Sequence, residues 1–235
     1  FPTRRSSDLP VATPPLNAQN VSQTVPKLQP PSPREPFFEG PTPFVRIPEG
    51  AVGPVFISQN HSPSITECPN GDLLAVWYST VDEAGTELCN LASRLRRGET
   101  EWEPASPFWD GADINDHAPK LWWDGKQTLY HFARGQLENI VRTSTDNGAT
   151  WSKAQVIQPV SEIGNVIIRT RDGVILMTQD TTVTSLTKST DGGKTWTSHF
   201  IDDKKLAHRN GSPARHAGIH APIVELADGR LMTFG

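Results

Sequence analysis

Eight residues, STDNGATW at Ser144–Trp151, recur almost unchanged as STDGGKTW at Ser189–Trp196. A repeat of this kind restricts a chain to architectures built from copies of one supersecondary unit, none of which buries its apolar face alone. The repeat extends well beyond the eight residues. An apolar run opened by a glycine turn recurs as PNGDLLAVWYS (Pro69–Ser79), WDGKQTLYHFA (Trp123–Ala133), RDGVILMTQD (Arg171–Asp180) and ADGRLMTFG (Ala227–Gly235). Its turn glycines, Gly71, Gly125, Gly173 and Gly229, are spaced by roughly fifty residues, room for four short strands and their turns.

Each unit reads as those four strands. A first strand (HSPSITE, HAPKLWW, GNVIIRT, HAPIVEL) passes through an Asn-Gly or Asp-Gly turn into a second, as hairpin chemistry predicts. A third follows (LCNLASR, ENIVRTS, SLTKS), and the eight-residue turn leads into a fourth. No stretch holds a 3.6-residue apolar period, so helices should be scarce. Four strands in each of several such units is the pattern of a β-propeller blade. The expected fold is all-β, a propeller of four-stranded antiparallel blades with about three and a half blades present. On this reading the chain is an incomplete piece of a ring of roughly six or more blades and exposes a blade edge. The strand-like FVRIPEGAVGPVFIS (Phe44–Ser58) is expected to serve as an outer strand of a further blade.

Eleven of the 21 prolines fall in the first 43 residues, so residues 1–36 read as a disordered or polyproline-II-like segment and 37–235 as the propeller domain. Residues 1–9, FPTRRSSDL, match one reading frame of a common sequencing-library adapter and are expected to be foreign to the protein. No apolar run approaches the roughly 18 residues of a spanning helix, so no membrane span is expected. The net charge of −4 argues against nucleic acid as a partner. Cys68 and Cys89 fall at opposite ends of a blade, beyond disulfide reach, and are expected to be free thiols.

The motif S-x-D-x-G-x-T-W, matched by Ser144, Asp146, Gly148 and Trp151 and again by Ser189, Asp191, Gly193 and Trp196, resembles the Asp-box, or BNR repeat, of the sialidase-like propellers. The first unit keeps Trp102 but has RGETEW in place of the box, a degenerate copy. The carboxylates suit backbone N–H acceptance across a tight turn, the glycines allow positive φ, and the tryptophans suit packing between sheets. The box is therefore expected to be a fold staple at the periphery. The resemblance implies a glycan substrate and an extracellular or periplasmic location.

In a propeller the starts of the innermost strands converge on the central axis. Those positions read Asn60-His61-Ser62-Pro63, Asp116-His117-Ala118-Pro119, Gly164-Asn165 and Ile219-His220-Ala221-Pro222, so three of the chain's seven histidines stand in register. His61, His117 and His220 suit proton transfer or the holding of an anionic sugar; a metal site and a bare repeat signature are the alternatives. The expected catalytic set is His61, His117, Asp82 and Asp116, with Asn60, Arg209, Arg215 and His220 binding substrate. Asp82, with Glu83 beside it in STVDEAGTE, occupies the place that the resemblance gives to the family's acid/base aspartate. Asp116 adjoins His117. Lys204, Lys205, Arg209 and Arg215 precede His220 with no acid among them, a stretch suited to attracting an anionic glycan. Trp77, Tyr78 and Trp109 suit stacking on sugar faces. No cofactor and no metal are expected.

The family's first substrate-binding arginine lies in an R-I-P strand opening. Here Arg46-Ile47-Pro48 precedes the first unit, and His61 and Ser62 stand at the in-register place. Three readings stay open: an exo-glycosidase of the sialidase kind, a histidine-centred lyase or hydrolase acting on uronate glycans, and a non-catalytic binding propeller.

Overall fold

A computed structural model describes residues 13–27, 49–50, 57, 59–135, 138–157, 163–179, 185–200 and 221–233. The first blade is the antiparallel meander β1 (Gln59–Glu67), β2 (Leu73–Thr80), β3 (Cys89–Leu95) and β4 (Ser106–Trp109). The second is β5 (His117–Trp123), β6 (Leu129–Arg134), β7 (Asn139–Ser144) and β8 (Gln155–Ile157). The third is β9 (Ile163–Arg169), β10 (Ile175–Gln179), β11 (Ser185–Ser189) and β12 (Thr197–Phe200). A hairpin of β13 (Ile223–Glu225) and β14 (Leu231–Thr233) starts a fourth. The only helical element among the described residues is a 3-10 turn, Leu16–Ala18. The innermost strands face one another in sequence, β1 against β5, β5 against β9 and β9 against β13. The expected all-β architecture of four-stranded antiparallel propeller blades is what the described residues show.

Strand alternation divides each blade between its two neighbours. Leu74, Val76 and Ala92 of the first blade meet Leu121 and Leu129 of the second, with Phe108, Trp123 and Trp151 packed against them. Tyr130, Phe132 and Val141, on the other face of the second blade, meet Ile167, Ile175 and Met177 of the third around Trp196. Trp102, kept in the degenerate unit, packs on Ala75, Trp77 and Leu91, the face of the first blade turned away from the second. Each tryptophan thus plugs the face next to the preceding blade position.

The eight-residue turns join β7 to β8 and β11 to β12, at the outer edge. In the second copy Asp191 Oδ1 accepts the N–H groups of Lys194 and Thr195, Ser189 Oγ accepts that of Gly193, and Trp196 Nε1 donates to Gly193 O at 3.0 Å. Bonds from the Thr195 hydroxyl and N–H and from Ser189 hold the Asp191 carboxyl well below its ordinary value. A side chain on Gly193, where φ is 89°, would come within 2.7 Å of Tyr130, so glycine is needed for both backbone and space. Cys68 and Cys89 are free and buried, as expected. Residues 13–27, expected to belong to a disordered segment, are instead docked: Asn17 is 2% exposed and bonded to Ser106. Local composition misleads here because the partners lie far along the chain.

Candidate functional site

The openings of β1 and β5 share an irregularity. The register slips between His61 and Ser64, where Ser62 has φ 51°, and between His117 and Lys120, where Ala118 has φ 48°. Left-handed backbone is uncommon outside glycine, and a residue before proline is normally extended. Both His-x-Pro openings hold this costly geometry, and bulges of this kind re-aim side chains beside them. Lys120, 1% exposed, donates to Ser62 Oγ at 3.1 Å, and the Leu121 N–H donates to Ser64 Oγ at 2.9 Å, fastening the first bulge to the second blade.

The two histidines meet on one carboxylate, Glu83, in the loop after β2. Glu83 Oε1 lies 3.1 Å from His61 Nδ1 and 3.2 Å from His117 Nε2, and it accepts a short hydrogen bond from the Tyr78 hydroxyl. Tyr78 stands opposite His61 in the ladder, its oxygen 2.7 Å from His61 Nδ1 and its ring centroid 4.8 Å from that of His117. Asn115 Nδ2 donates to the carbonyls of Glu83 (2.8 Å) and Gly85 (2.7 Å), tying the loops of two blades together. A cleft of about 260 Å³ beside the cluster is lined by Glu83, Ala84, Asn115, His117, Arg134 and Gly135.

Three partners on one carboxylate favour its ionised form. The Tyr78 hydroxyl contributes most, then His117 and His61, and together they lower the Glu83 pKa from 4.5 to about 2. Glu83 is therefore an anion near neutral pH, an acceptor and not a proton donor. Its side chain is 46% exposed, so water screens these interactions. The mobile protons belong to Tyr78, His61 and His117. A bare His61 Nδ1 accepts from the phenol, and a protonated one donates to Glu83.

The other expected carboxylates are engaged elsewhere. Asp82 Oδ1 accepts the Ala84 N–H at 3.1 Å within its own turn. Asp116 is buried and accepts from Trp109 Nε1 at 2.7 Å and from the Gly111 N–H at 2.5 Å. Burial raises its carboxyl to about 6, against the opposing bonds from Gly111 and Trp109. Glu83, and neither Asp82 nor Asp116, is the carboxylate on the histidines. Asn60 bridges Trp77 Nε1 (3.0 Å) and the Ile57 carbonyl (2.9 Å). His220, Arg209 and Arg215 lie outside the described residues.

Tyr78 enters by its hydroxyl rather than as a stacking face, and Asn115 and Arg134 were not foreseen. Register was the available signal: Arg134 stands opposite His117 as Tyr78 stands opposite His61. Among the described residues no cluster of His, Cys, Asp and Glu is arranged to hold a metal ion. Among the described residues no helix is long and apolar enough to cross a membrane.

No protein-family model and no curated protein matches the sequence. Solved structures do match in fold. A leech intramolecular trans-sialidase is 13% identical over 74% of this chain and 47% of its own, with a TM-score of 0.53. An α-L-arabinanase from Penicillium chrysogenum is 16% identical over 73% of this chain and 51% of its own, at 0.51. A β-1,3-galactosidase of glycoside hydrolase family 43 is 10% identical over 72% of this chain and 37% of its own, at 0.52. The chain therefore has the propeller fold on which these glycosidases are built and spans about half their length or less.

Proposed function

We propose that the protein is a glycan-active enzyme that hydrolyses a terminal anionic sugar, with His61 and His117 as its proton-transfer groups and the buried Tyr78 hydroxyl positioning them. The observation that carries this reading is that His61 and His117, from two blades, meet on the Glu83 carboxylate at the cleft. Tyr78 is fully buried and absent from the cleft wall, so its hydroxyl holds Glu83 and His61 in place and does not meet the sugar. His117 protonates the leaving oxygen as its bond to the anomeric carbon breaks, a water attacks that carbon while His61 takes the water's proton, and Glu83 holds the imidazolium that results. Arg134, on the cleft wall, is the proposed partner of the substrate's charge, with Arg209, Arg215 and His220 as further proposed contacts.

A second reading has specific support. Glu83 is the only carboxylate on the cleft wall among the described residues, and two-carboxylate hydrolysis needs a pair. In β-elimination on a uronate glycan, one of the two histidines takes the proton α to the uronate carboxyl. The electrons of that C–H bond form the C4–C5 double bond, the C4–oxygen bond breaks, and the facing histidine protonates the departing oxygen.

The complete gene product should be assayed on sialyl-glycosides and on uronate polysaccharides, separating free sugar from the ultraviolet-absorbing unsaturated uronate. His117→Ala should lower kcat by about 10²–10⁴-fold on whichever substrate is turned over, with Asp82→Asn staying near wild type. Full turnover by the His117→Ala variant would overturn both readings.

A further inference from the structure

The first eight-residue turn differs from the second at two positions, Ala149 for Lys194 and Asn147 for Gly192, and the second of these matters here. The first blade also departs from its neighbours. Its glycine turn has Asn70 where the others have Asp124, Asp172 and Asp228, and Arg94 stands opposite Leu74 where Thr143 and Lys188 face Tyr130 and Leu176. All three exceptions converge on one object, the segment 13–27.

Arg94 is 0% exposed. It donates to the Asn17 carbonyl (2.8 Å), to Asp72 Oδ2 (3.0 Å) and to the Asn147 carbonyl (2.8 Å), so one guanidinium joins the segment, the first blade and the second blade's turn. Asn70 Nδ2 and Asn147 Nδ2 both donate to the Ser22 carbonyl, at 2.8 and 3.2 Å, and Asn147 Nδ2 also reaches Gln23 Oε1 at 3.0 Å. Gln23 Nε2 returns a bond to the Asp146 carbonyl at 2.9 Å. Arg96 takes the carbonyls of Gln19 and Asn20 at 2.6 and 2.9 Å. Asn17 Nδ2 enters the blade edge, donating to Ser106 Oγ at 2.6 Å and to the Pro107 carbonyl at 3.2 Å. The segment is held through its backbone carbonyls and one buried asparagine, as a recognised peptide is. Pro15, at φ −59° and ψ 156°, sets a polyproline-II entry that limits the entropy lost on docking.

We propose that residues 13–27 are an intrinsic peptide ligand, and that Arg94, Arg96, Asn70 and Asn147 form its dedicated binding site across the first two blades. The second eight-residue turn has no such site because Gly192 offers no side chain, and the Tyr130 hydroxyl caps its carbonyl at 2.9 Å. Leu74 is four residues before Tyr78 on β2, so the site lies roughly 13 Å along the strand from the Glu83 cluster. The ligand thus clasps the two blades whose histidines must meet, from the end opposite their meeting point.

A single protease site placed between residues 28 and 36 of the full chain tests this. After cutting, the N-terminal piece should co-elute with the body on gel filtration. Asn147→Gly, which copies the second turn and keeps its permitted backbone, should raise the release rate about tenfold. A labelled 13–27 peptide should rebind the released body, with Asn17→Ala weakening it about tenfold. Immediate release from the wild-type body, or no effect of either substitution, would overturn the proposal. A dimer that dissociates on cutting would assign the segment to a second copy and overturn the intramolecular reading.

Discussion

Trp196→Ala removes the plug between the second and third blades, and its cost follows from the structure. The side chain is 7% exposed, meets the Phe132 ring edge-on at 5.4 Å between centroids, and donates to Gly193 O. Burying about 200 Å² of aromatic surface at about 25 cal/mol/Å² corresponds to about 5 kcal/mol. Some of that is recovered, because water reaches the half-buried Gly193 carbonyl and the turn relaxes toward Phe132. The expected loss is about 4 kcal/mol, within the range for large-to-small core replacements. For a chain of this size that is about 8–16 °C in Tm, a large part of ordinary domain stability. Thermal and urea unfolding followed by circular dichroism measure it, with Trp196→Phe as the intermediate control. A loss below about 1 kcal/mol would refute the plug assignment and with it the inter-blade role of the repeated turn.

The two perturbed carboxyls should act on stability in opposite directions. Glu83, lowered to about 2, contributes stability that is present above its ordinary 4.5 and lost as pH falls through 2. Asp116, raised to about 6, contributes stability that is present below its ordinary 3.8 and lost as pH rises through 6. Urea midpoints of Glu83→Gln and Asp116→Asn across that window, compared with wild type, should show the opposite slopes. Burial raises both Cys68 and Cys89 thiols to about 11, so neither should react with a thiol reagent at neutral pH until the protein unfolds. Fast labelling of the native protein would contradict their placement.

What the sequence revealed and what it concealed divide along the range of the interactions. The blade period, the glycine hairpins and the eight-residue turns were legible because their chemistry lies within a few residues: Ser144, Asp146 and Thr150 bond one another. The histidine register was legible for the same reason, as hairpins of similar length place equivalent residues at equivalent heights. The choice between Asp82 and Glu83 was not, because loop closure makes it: Thr80 Oγ1 donates to the Asp82 carbonyl at 2.6 Å, and Asp82 caps Ala84, leaving Glu83 to point at the histidines. Asp116 misled through adjacency: it precedes β5, and its carboxyl turns back to Trp109 and Gly111. The docking of residues 13–27 was hidden because Asn17 and Arg94 are 77 residues apart, while proline content signals only an extended chain.

The central claim is that the first two blades bring His61, Tyr78 and His117 into one cluster. Proton NMR cross-relaxation among the three rings measures this without a substrate. Centroid separations of 5.5 Å for His61–Tyr78 and 4.8 Å for Tyr78–His117 predict cross-peaks from the Tyr78 ring protons to both imidazoles. Cross-peaks to one histidine alone, or to neither, would contradict the account.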